Sequence, residues 1–253
     1  MKVIVIIPAA GLGTRMAPMP SAMDAKAIAA KIRKPHPSKQ FTDLAGTPIL
    51  MHTLRKFAAV DAVSEIWIAL RENEIEGFRE RLALEAGDVL KKNVELVAGG
   101  EHRQQSVEHA LNAISAAPDD IVLVHDAVRP FVTAEIIGAV IEAARKYGAA
   151  IAGLPAVDTV KQVERTAEGA VIKATIPRVG VVLAQTPQGF RYGLIKKAFD
   201  EASADGFMGT DESSLAERAG HEVAVVMGSA RNIKITSPGD MELAEFYLKR
   251  QGR

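Results

Sequence analysis

The sequence predicts an α/β fold, with a mostly parallel mixed sheet that carries helices on both faces and a projecting β-hairpin arm. Short runs of apolar, mainly β-branched residues recur along the chain, as is typical of strands buried on both faces. Between these runs, apolar residues repeat at helical spacing. Alternation of the two patterns favours parallel strands joined by crossover helices.

The first predicted strand runs from Val3 to Ile7, directly before a glycine-rich turn. Lys2 and this apolar run resemble the start of a secretory signal. The run ends at Pro8, however, and is shorter than the ~7 to 15 apolar residues of such signals, so we interpret it as a buried strand. Similar runs predict six further strands, at 65–70, 94–97, 121–124, 149–154, 181–184 and 222–226.

Helices are predicted where apolar residues share one face. Three such faces are formed by Ile49, Leu50, Leu54 and Phe57; by Val107, Ala110, Leu111 and Ile114; and by Ile136, Ile137, Val140, Ile141 and Ala144. Thr133 is placed to cap the third of these helices. A last helix is predicted over 241–248, because Ser237, Pro238 and Asp240 occupy the N-cap, N1 and N3 positions before it.

Two segments interrupt the alternation within the single domain that we expect over residues 1–253. Residues 17–38 form a basic insertion with prolines near both ends. Residues 156–179 alternate, turn and alternate again, which predicts the β-hairpin arm. An exposed hairpin leaves strand edges uncovered unless a partner pairs with them, so we expect a homodimer.

Composition excludes several functional classes. The 253 residues include 31 basic and 31 acidic side chains, so no bulk charge attracts the chain to nucleic acid or to a membrane surface. The chain has no cysteine, which excludes disulfides, thiolate metal sites and a cysteine nucleophile and agrees with a cytoplasmic location. No apolar run reaches the roughly 18 residues of a membrane span.

The glycine-rich turn after the first strand contains Gly11, Gly13 and Arg15. It resembles a dinucleotide-binding fingerprint, but Met16 occupies the position of the third glycine. Glycines allow the backbone to approach a phosphate closely, and a guanidinium can hold phosphate oxygens with two hydrogen bonds. The turn therefore indicates a phosphate chain as ligand, and a tight turn with a solvent-facing arginine is the alternative.

Eight motifs in one order carry a resemblance that spans nearly the whole chain: PAAGLGTRM, SKQF, AGGEHRQQSV, HDAVRPF, DTVK, AQTPQGF, TDESS and NIKIT. Together they resemble the 2-C-methyl-D-erythritol 4-phosphate cytidylyltransferase family. The resemblance implies a Rossmann-like nucleotidyltransferase fold and transfer of CMP from CTP to 2-C-methyl-D-erythritol 4-phosphate. Pyrophosphate would be released with Mg2+ as cofactor, in the non-mevalonate route to isoprenoid precursors.

The resemblance also implies roles for individual residues. Arg15 and Lys39 would neutralise charge at the reacting phosphate, and Asp126, at the end of the strand IVLVHD, would hold Mg2+. The residues implied to bind CTP are Ala9, Ala10, Gly11, Gly13, Gly100, Glu101, Ser106 and Ala127. The attacking phosphate would be bound by Thr159, Arg178, Thr186, Thr210, Lys234 and Thr236. Of these, the hairpin residues Thr159 and Arg178 would reach the partner subunit's site.

Several alternatives stay open at this stage. Gly99 and Gly100 also suit a plain turn, Arg129 either braces its loop or meets phosphate, and His125 is interpreted as structural. Asp211 and Glu212 also suit the first turn of a helix.

The phosphate-binding lysine is a departure from the family pattern, which keeps it close behind the arginine and directly after a proline. Here about 23 residues separate Arg15 from Lys39, and Ser38 precedes that lysine. Lys31, Arg33 and Lys34 therefore compete with Lys39 for its role.

Other activities also remain open. A cytidylyltransferase for another polyol phosphate, such as ribitol 5-phosphate, is the nearest alternative. A sugar-nucleotide pyrophosphorylase shares only the glycine-rich turn, and an inactive nucleotide-binding scaffold would not need the full set of catalytic candidates: Arg15, Lys39, Asp126, Arg178 and Lys234.

Overall fold

The computed structural model describes residues 1–11, 38–86, 92–166 and 169–251 of the chain. Within these ranges a seven-stranded sheet forms the centre of the molecule. Its strands are β1 (Val3–Pro8), β4 (Glu65–Leu70), β5 (Asn93–Ala98), β6 (Ile121–Val124), β7 (Ala149–Pro155), β10 (Val182–Arg191) and β11 (Ala224–Met227). Their order across the sheet is β11-β7-β10-β6-β1-β4-β5. Two short strands, β2 (Asp43–Leu44) and β3 (Thr47–Pro48), form a separate ribbon.

The described residues form seven α-helices: α1 (Ile49–Ala58), α2 (Glu72–Ala86), α3 (Arg103–Ala113), α4 (Ala134–Tyr147), α5 (Tyr192–Ala204), α6 (Glu212–Arg218) and α7 (Pro238–Gln251). Short 3-10 turns lie at Lys39–Phe41 and Arg178–Gly180. None of the helices in these ranges has both the length and the apolar character needed to cross a membrane.

The sheet is parallel except for one strand. β1 pairs in parallel with β4 and β6, β4 with β5, and β7 with β11. β10 runs antiparallel to both of its neighbours, β6 and β7. The predicted mostly parallel mixed sheet is therefore confirmed.

The first strand shows how the two faces are covered. Residues 3–7 are fully buried, and successive side chains point to opposite faces of the sheet. Val3, Val5 and Ile7 belong to a core with apolar residues of α1 and α4, whereas Ile4 and Ile6 belong to a second core with residues of α3 and α5. Helices therefore pack on both faces, as the sequence predicts.

All seven predicted strands of the sheet are present, some with shifted ends. The largest difference is β10, which continues to Arg191 instead of ending at residue 184. Its pairing register with β7 shifts between Ala184 and Gln188, so Pro187 lies where the ladder is interrupted. Strands accept proline at such an irregularity but rarely elsewhere, so the proline in AQTPQGF hides the strand from a prediction based on sequence.

The helices follow the apolar patterns less completely. Thr133 accepts a hydrogen bond from the Ile136 amide and caps α4, and Ser237 with Asp240 caps α7, as predicted. α2 and α5 are found in addition, and α6 begins at Glu212, as the alternative interpretation of that residue proposed. α2 has a strongly charged sequence, so its apolar face is too weak to predict.

The predicted arm is a two-stranded hairpin of β8 (Val160–Thr166) and β9 (Gly169–Ile176). Its two strands pair with each other and form a sheet separate from the central one. All its described residues are exposed except the half-buried Val160. Residues 17–37 of the predicted insertion lie outside the described residues, and the assignment of residues 1–253 to a single domain stays a prediction.

Candidate active site

A cleft of about 480 Å³ opens at the carboxyl ends of β1, β5 and β6. Open α/β sheets usually bind their ligands at this edge, because loops from several parallel strands meet there. The lining residues are Pro8, Ala9, Ala10, Gly11, Lys39, Gln40, Gly100, Glu101, His102, Arg103, Ser106, Asp126, Ala127, Val128 and Lys234.

Asp126 lies on the floor of the cleft, two residues after the end of β6, and its side chain is only 8% exposed. Three cations surround its carboxylate. Arg103 Nε lies 3.2 Å from Oδ1, while Arg129 Nε and Lys234 Nζ lie 3.2 and 2.9 Å from Oδ2. We call these four side chains the charged floor of the cleft.

The charged floor fixes the ionisation of its acid. Burial by itself raises the pKa of Asp126, but the charges of Arg103, Lys234 and Arg129 outweigh burial and hold that pKa well below its usual range. Asp126 is therefore an anion at neutral pH. It keeps three basic side chains together at the base of the cleft, and two of them, Arg103 and Lys234, line the cleft, where they can also face an anionic ligand.

Arg103 is held from two sides. Its Nη1 donates to both carboxylate oxygens of Glu212, at 2.6 and 2.9 Å, while its Nε faces Asp126. Glu212 is 1% exposed; burial raises its pKa, and the Arg103 charge acts in the opposite direction. Two carboxylates thus share one guanidinium, whose own pKa they hold above its usual range against the effect of burial.

Sequence reasoning does not single out Arg103, although a signal is present. Arg103 is the first residue of α3, where the positive end of the helix dipole disfavours a cation. A cation in an unfavourable position indicates a compensating partner, which here is the pair Asp126 and Glu212. Glu212 does begin a helix, as the alternative interpretation proposed, but its side chain is buried against Arg103.

The turn between β5 and α3 forms one wall of the cleft. A Cβ atom on Gly99 would lie 2.5 Å from Ala10 Cβ, and one on Gly100 would meet Gln105, so neither position has room for a side chain. The Gly100 amide donates to Ser106 Oγ at 3.1 Å, and Gln105 Oε1 accepts from the Glu101 amide at 3.0 Å. In this structure these groups thus hold the turn in place.

The opposite wall joins the end of β1 to the turn at Lys39–Phe41. Gln40, which is 2% exposed, donates through Nε2 to the Ala9 carbonyl. Arg71 Nε donates to the Ala10 carbonyl at 3.0 Å, and Ser38 Oγ donates to Glu74 at 2.6 Å. These bonds position the segment that carries Lys39 on the cleft beside residues 8–11, and the role that the resemblance implies for Lys39 stays a prediction.

The structure brings together most of the predicted nucleotide site. Ten predicted residues line the cleft: Ala9, Ala10, Gly11, Lys39, Gly100, Glu101, Ser106, Asp126, Ala127 and Lys234. Gly13 and Arg15 lie outside the described residues, as do the competing residues Lys31, Arg33 and Lys34.

The predicted phosphate-binding residues are more dispersed. Thr210 borders a smaller cavity of about 90 Å³ on the other side of Arg103. Thr236 Oγ1 donates to Asp240 at the start of α7, at 2.9 Å. Arg178 is exposed at the base of the arm, where it donates to the Val157 carbonyl, and Thr159 lies in the same segment. Their predicted contacts with substrate stay predictions.

Thr186 lies behind Asp126 rather than in the cleft. Its hydroxyl is 3.1 Å from His125 Nδ1 and accepts from the Asp126 amide at 3.0 Å. His125 is fully buried, and burial lowers its pKa to about 4. It is therefore a neutral imidazole packed edge-on against Phe57 at neutral pH.

These features define a nucleotidyltransferase-like α/β protein, with a cationic cleft beside a glycine-containing turn at the carboxyl edge of the sheet. The family model for 2-C-methyl-D-erythritol 4-phosphate cytidylyltransferase matches residues 3–250. The chain belongs to this family.

Relatives that carry this name, and solved structures, are similar to the chain over nearly their full lengths. Proteins named 2-C-methyl-D-erythritol 4-phosphate cytidylyltransferase from Acidobacterium capsulatum and Solibacter usitatus are 57% and 53% identical, covering 99% of this chain and 99% and 97% of their own. The crystal structure of the Francisella tularensis protein of that name is 34% identical with a TM-score of 0.74, covering 97% of this chain and 99% of the other. The crystal structure of the Thermus thermophilus protein is 31% identical with a TM-score of 0.72 and covers 98% and 100%.

Proposed function

We propose that the cleft binds CTP and that the chain transfers its cytidylyl group to 2-C-methyl-D-erythritol 4-phosphate, releasing pyrophosphate. This is the reaction named by the family, and it belongs to the non-mevalonate synthesis of isoprenoid precursors. The observation that carries the proposal is the position of Arg103 and Lys234 around one buried carboxylate, in a cleft that Lys39 and residues 8–11 also line.

The charges of the cleft suit a triphosphate. Lys39, Arg103 and Lys234 line it together with only two acids, Glu101 and Asp126, so its lining is cationic although the whole chain is neutral. Fixed cations in a partly buried cleft stabilise phosphate oxygens more strongly than the same groups do in water. Binding of the nucleotide polyanion would thus balance an excess of positive charge.

The transfer needs positioning and charge stabilisation more than proton removal. A phosphate monoester has a second pKa of about 6, so the attacking phosphate is substantially ionised near neutral pH. Lys234, held 2.9 Å from Asp126, would orient this phosphate from the floor. Lys39 and Arg15 would stabilise the charge that develops on the α-phosphate and on the leaving pyrophosphate.

We also propose Mg2+ as the cofactor, held by Asp126 together with nucleotide phosphates and water. One ionised carboxylate at the cleft suits this metal, which is commonly bound by one or two carboxylates beside phosphate oxygens. The described residues contain no cluster of three acidic or histidine side chains that could hold a metal alone, so phosphate oxygens would supply the remaining ligands. When bound, the ion would neutralise phosphate charge.

The functional unit that we propose is a homodimer joined through the arm. The exposed side chains of the hairpin include Val163, Val171 and Ile172, which are 47%, 55% and 59% exposed. A two-stranded hairpin is only marginally stable by itself in water, and a partner that covers these side chains would remove the cost of exposing them. In such a dimer Arg178 and Thr159 would approach the partner's cleft.

We further propose that the protein acts in the cytoplasm. The absence of cysteine agrees with a compartment in which disulfides do not form. Fractionation of cells with an antibody against the chain would test this location.

Pyrophosphate release from purified protein tests the main proposal. With CTP, Mg2+ and 2-C-methyl-D-erythritol 4-phosphate, we expect turnover that is lost in Lys234→Ala and retained in Lys249→Ala, a control at an exposed lysine of α7. Ribitol 5-phosphate is the comparison substrate. Turnover with ribitol 5-phosphate alone would contradict the proposed substrate, and turnover with neither would contradict the proposed activity.

A further inference from the structure

A closed ring of hydrogen bonds lies directly beneath the charged floor. His125 Nε2 is 3.1 Å from the Arg129 carbonyl oxygen, and Arg129 Nη1 donates to the Asn232 carbonyl at 2.7 Å. Asn232 Nδ2 donates to the Thr186 carbonyl at 2.8 Å, and the Thr186 hydroxyl returns to His125 Nδ1 at 3.1 Å. His125, Thr186 and Asn232 are each 5% exposed or less.

The direction of each hydrogen bond follows from what each atom can do. A carbonyl oxygen only accepts, so His125 Nε2 must carry a proton. Both ring nitrogens face uncharged oxygens, and a buried imidazole without a carboxylate on either nitrogen is most stable in its neutral form. In this form Nδ1 has no proton and accepts the hydroxyl proton of Thr186.

The Thr186 hydroxyl then takes part in two hydrogen bonds. Its one proton is donated to His125, and its oxygen accepts from the Asp126 amide at 3.0 Å. This bond fixes the backbone at the residue whose carboxylate holds Arg103, Arg129 and Lys234. While Nδ1 accepts the hydrogen bond from this hydroxyl, Thr186 cannot donate to a substrate phosphate.

The orientation of the imidazole is itself fixed by the fold. Phe57 of α1 packs edge-on against the ring, with the two ring centres 4.8 Å apart, and the His125 amide donates to the Ile6 carbonyl of β1 at 2.9 Å. Through His125, the ring of hydrogen bonds therefore connects the ends of β1 and β6 to the loop that carries Asn232 and Lys234.

We propose that His125, as its Nε2-H tautomer, is a positioning residue for the transfer reaction, and that it acts by holding the Thr186 hydroxyl as the acceptor for the Asp126 amide. This role rests on the function proposed above. It assigns Thr186 to the support of Asp126, instead of to direct contact with the substrate phosphate.

The tautomer can be tested without any activity measurement. Nitrogen-15 spectra of the imidazoles in the ligand-free wild-type protein, with the His125 signals assigned through the His125→Asn variant, report which ring nitrogen carries the proton. We expect a protonated Nε2 and an unprotonated Nδ1 at pH 7. A protonated Nδ1 would overturn the proposal even if the enzyme proved fully active on the proposed substrates.

Two substitutions at His125 separate its two hydrogen bonds. The asparagine amide reaches about as far as Nδ1 and can accept from Thr186, whereas the glutamine amide reaches about as far as Nε2 and can donate to the Arg129 carbonyl. We expect His125→Gln to lower kcat by about 10- to 100-fold, the effect of disturbing one buried hydrogen-bonded group, and His125→Asn to lower it clearly less. Equal losses of kcat in the two variants would indicate that the His125 imidazole has only a structural role, and would overturn the proposal.

Thr186 supplies the second half of the test. Thr186→Val removes the acceptor for the Asp126 amide, and we expect the same loss of kcat as in His125→Gln, with little change in KM for the methylerythritol phosphate. The double variant should lose no more than either single variant, since both break one connection. A rise in KM without a loss of kcat would assign Thr186 to substrate binding and overturn the proposal.

His52 offers a matched control in α1. Its Nε2 is also within hydrogen-bond distance of a backbone carbonyl, that of Leu44 at 2.8 Å, and it is absent from the cleft lining. We expect His52→Gln to leave kcat and KM unchanged. Turnover by wild-type protein and by this control establishes the proposed function separately, so a failure of the His125 proposal can be distinguished from a failure of that function.

Discussion

The charged floor and the arm place functional groups in opposite environments, one buried and one exposed. On the floor, Asp126 is 8% exposed and meets three cations of its own chain. On the arm, nearly every side chain is exposed, and at its base the exposed Arg178 guanidinium donates to the Val157 carbonyl. The floor is arranged within the cleft of the chain itself, whereas the arm residues Thr159 and Arg178 are not among the residues that line this cleft.

This difference predicts different consequences of substitution. Buried charges on the floor depend on each other, because removal of one partner leaves another uncompensated in a medium of low polarity. Exposed arm residues contribute little to the stability of their own subunit, since their environment changes little on unfolding. Changes on the floor should therefore alter chemistry and folding together, and changes on the arm should alter assembly and activity without affecting folding.

Asp126→Asn should give the largest effect. Loss of the negative charge removes the proposed magnesium ligand and leaves Arg103, Arg129 and Lys234 without their shared partner, so we expect kcat to fall by about 100-fold or more. Steady-state pyrophosphate release measures the change, with Asp119→Asn as the control at an exposed aspartate. Turnover of Asp126→Asn within a few-fold of wild type would mean that the metal assignment is wrong.

The pH dependence of stability should identify the ring of hydrogen bonds beneath the floor as a buried network. The pKa of His125 is about 4 in the folded protein against its usual 6.5, so between these values the unfolded chain binds a proton that the folded chain does not. Stability therefore falls as pH falls through this window, by about 2 kcal/mol between pH 7 and pH 5.

Urea unfolding of nucleotide-free protein at these two pH values measures the effect. His125→Asn should lack this contribution, so the difference between the two proteins isolates it from all other titrating groups. A variant with the same pH dependence as wild type would contradict the interpretation of His125 as a neutral buried imidazole.

Glu212→Gln should show that a residue outside the cleft lining supports the charged floor. The variant keeps a hydrogen-bond acceptor but loses the charge that holds Arg103 at 2.6 Å, and we expect kcat to fall by about 10-fold. Glu217→Gln on the exposed side of the same helix is the control. If both variants retained full activity, Arg103 would not need Glu212 to occupy its position.

Mixed dimers test whether the arm completes the partner's site. Arg178→Ala and Lys234→Ala should each be inactive alone, but a hybrid dimer has one site in which both residues are intact. An equimolar, fully exchanged mixture should recover about a quarter of wild-type activity, since half of the dimers are hybrids and half of their sites are intact. Native mass spectrometry would establish exchange, and no recovery in an exchanged mixture would place Arg178 outside a shared site.

The sequence predicts the centre of the fold well because the central strands are buried on both faces. Val3–Ile7 and Ile121–Val124 are continuous apolar runs, and neither contains a residue that disfavours a strand. α2 escapes prediction because its charged residues face solvent on most sides, so little periodicity remains. The extent of β10 escapes prediction because Pro187 masks a strand that is interrupted and then resumes.

The site is predictable only in part, for a similar reason. Asp126 and Lys234 occupy recognisable motifs, and the structure places them 2.9 Å apart. Arg103 and Glu212 lie 109 residues apart in the chain, and no local sequence pattern predicts that they pair at the starts of α3 and α6. The direction of the bond between His125 and Thr186 depends on a carbonyl that no sequence pattern specifies.

The position of β10 has a consequence for the order in which the protein is built during translation. β7 and β11 join the rest of the sheet only through β10. When β7 leaves the ribosome, its partner at residues 182–191 has not yet been made, and at ~5 to 20 residues per second the delay is on the order of seconds. The nascent chain must therefore hold an unpaired strand and the complete arm before the sheet can close, which makes this interval the point at which a chaperone would have most effect.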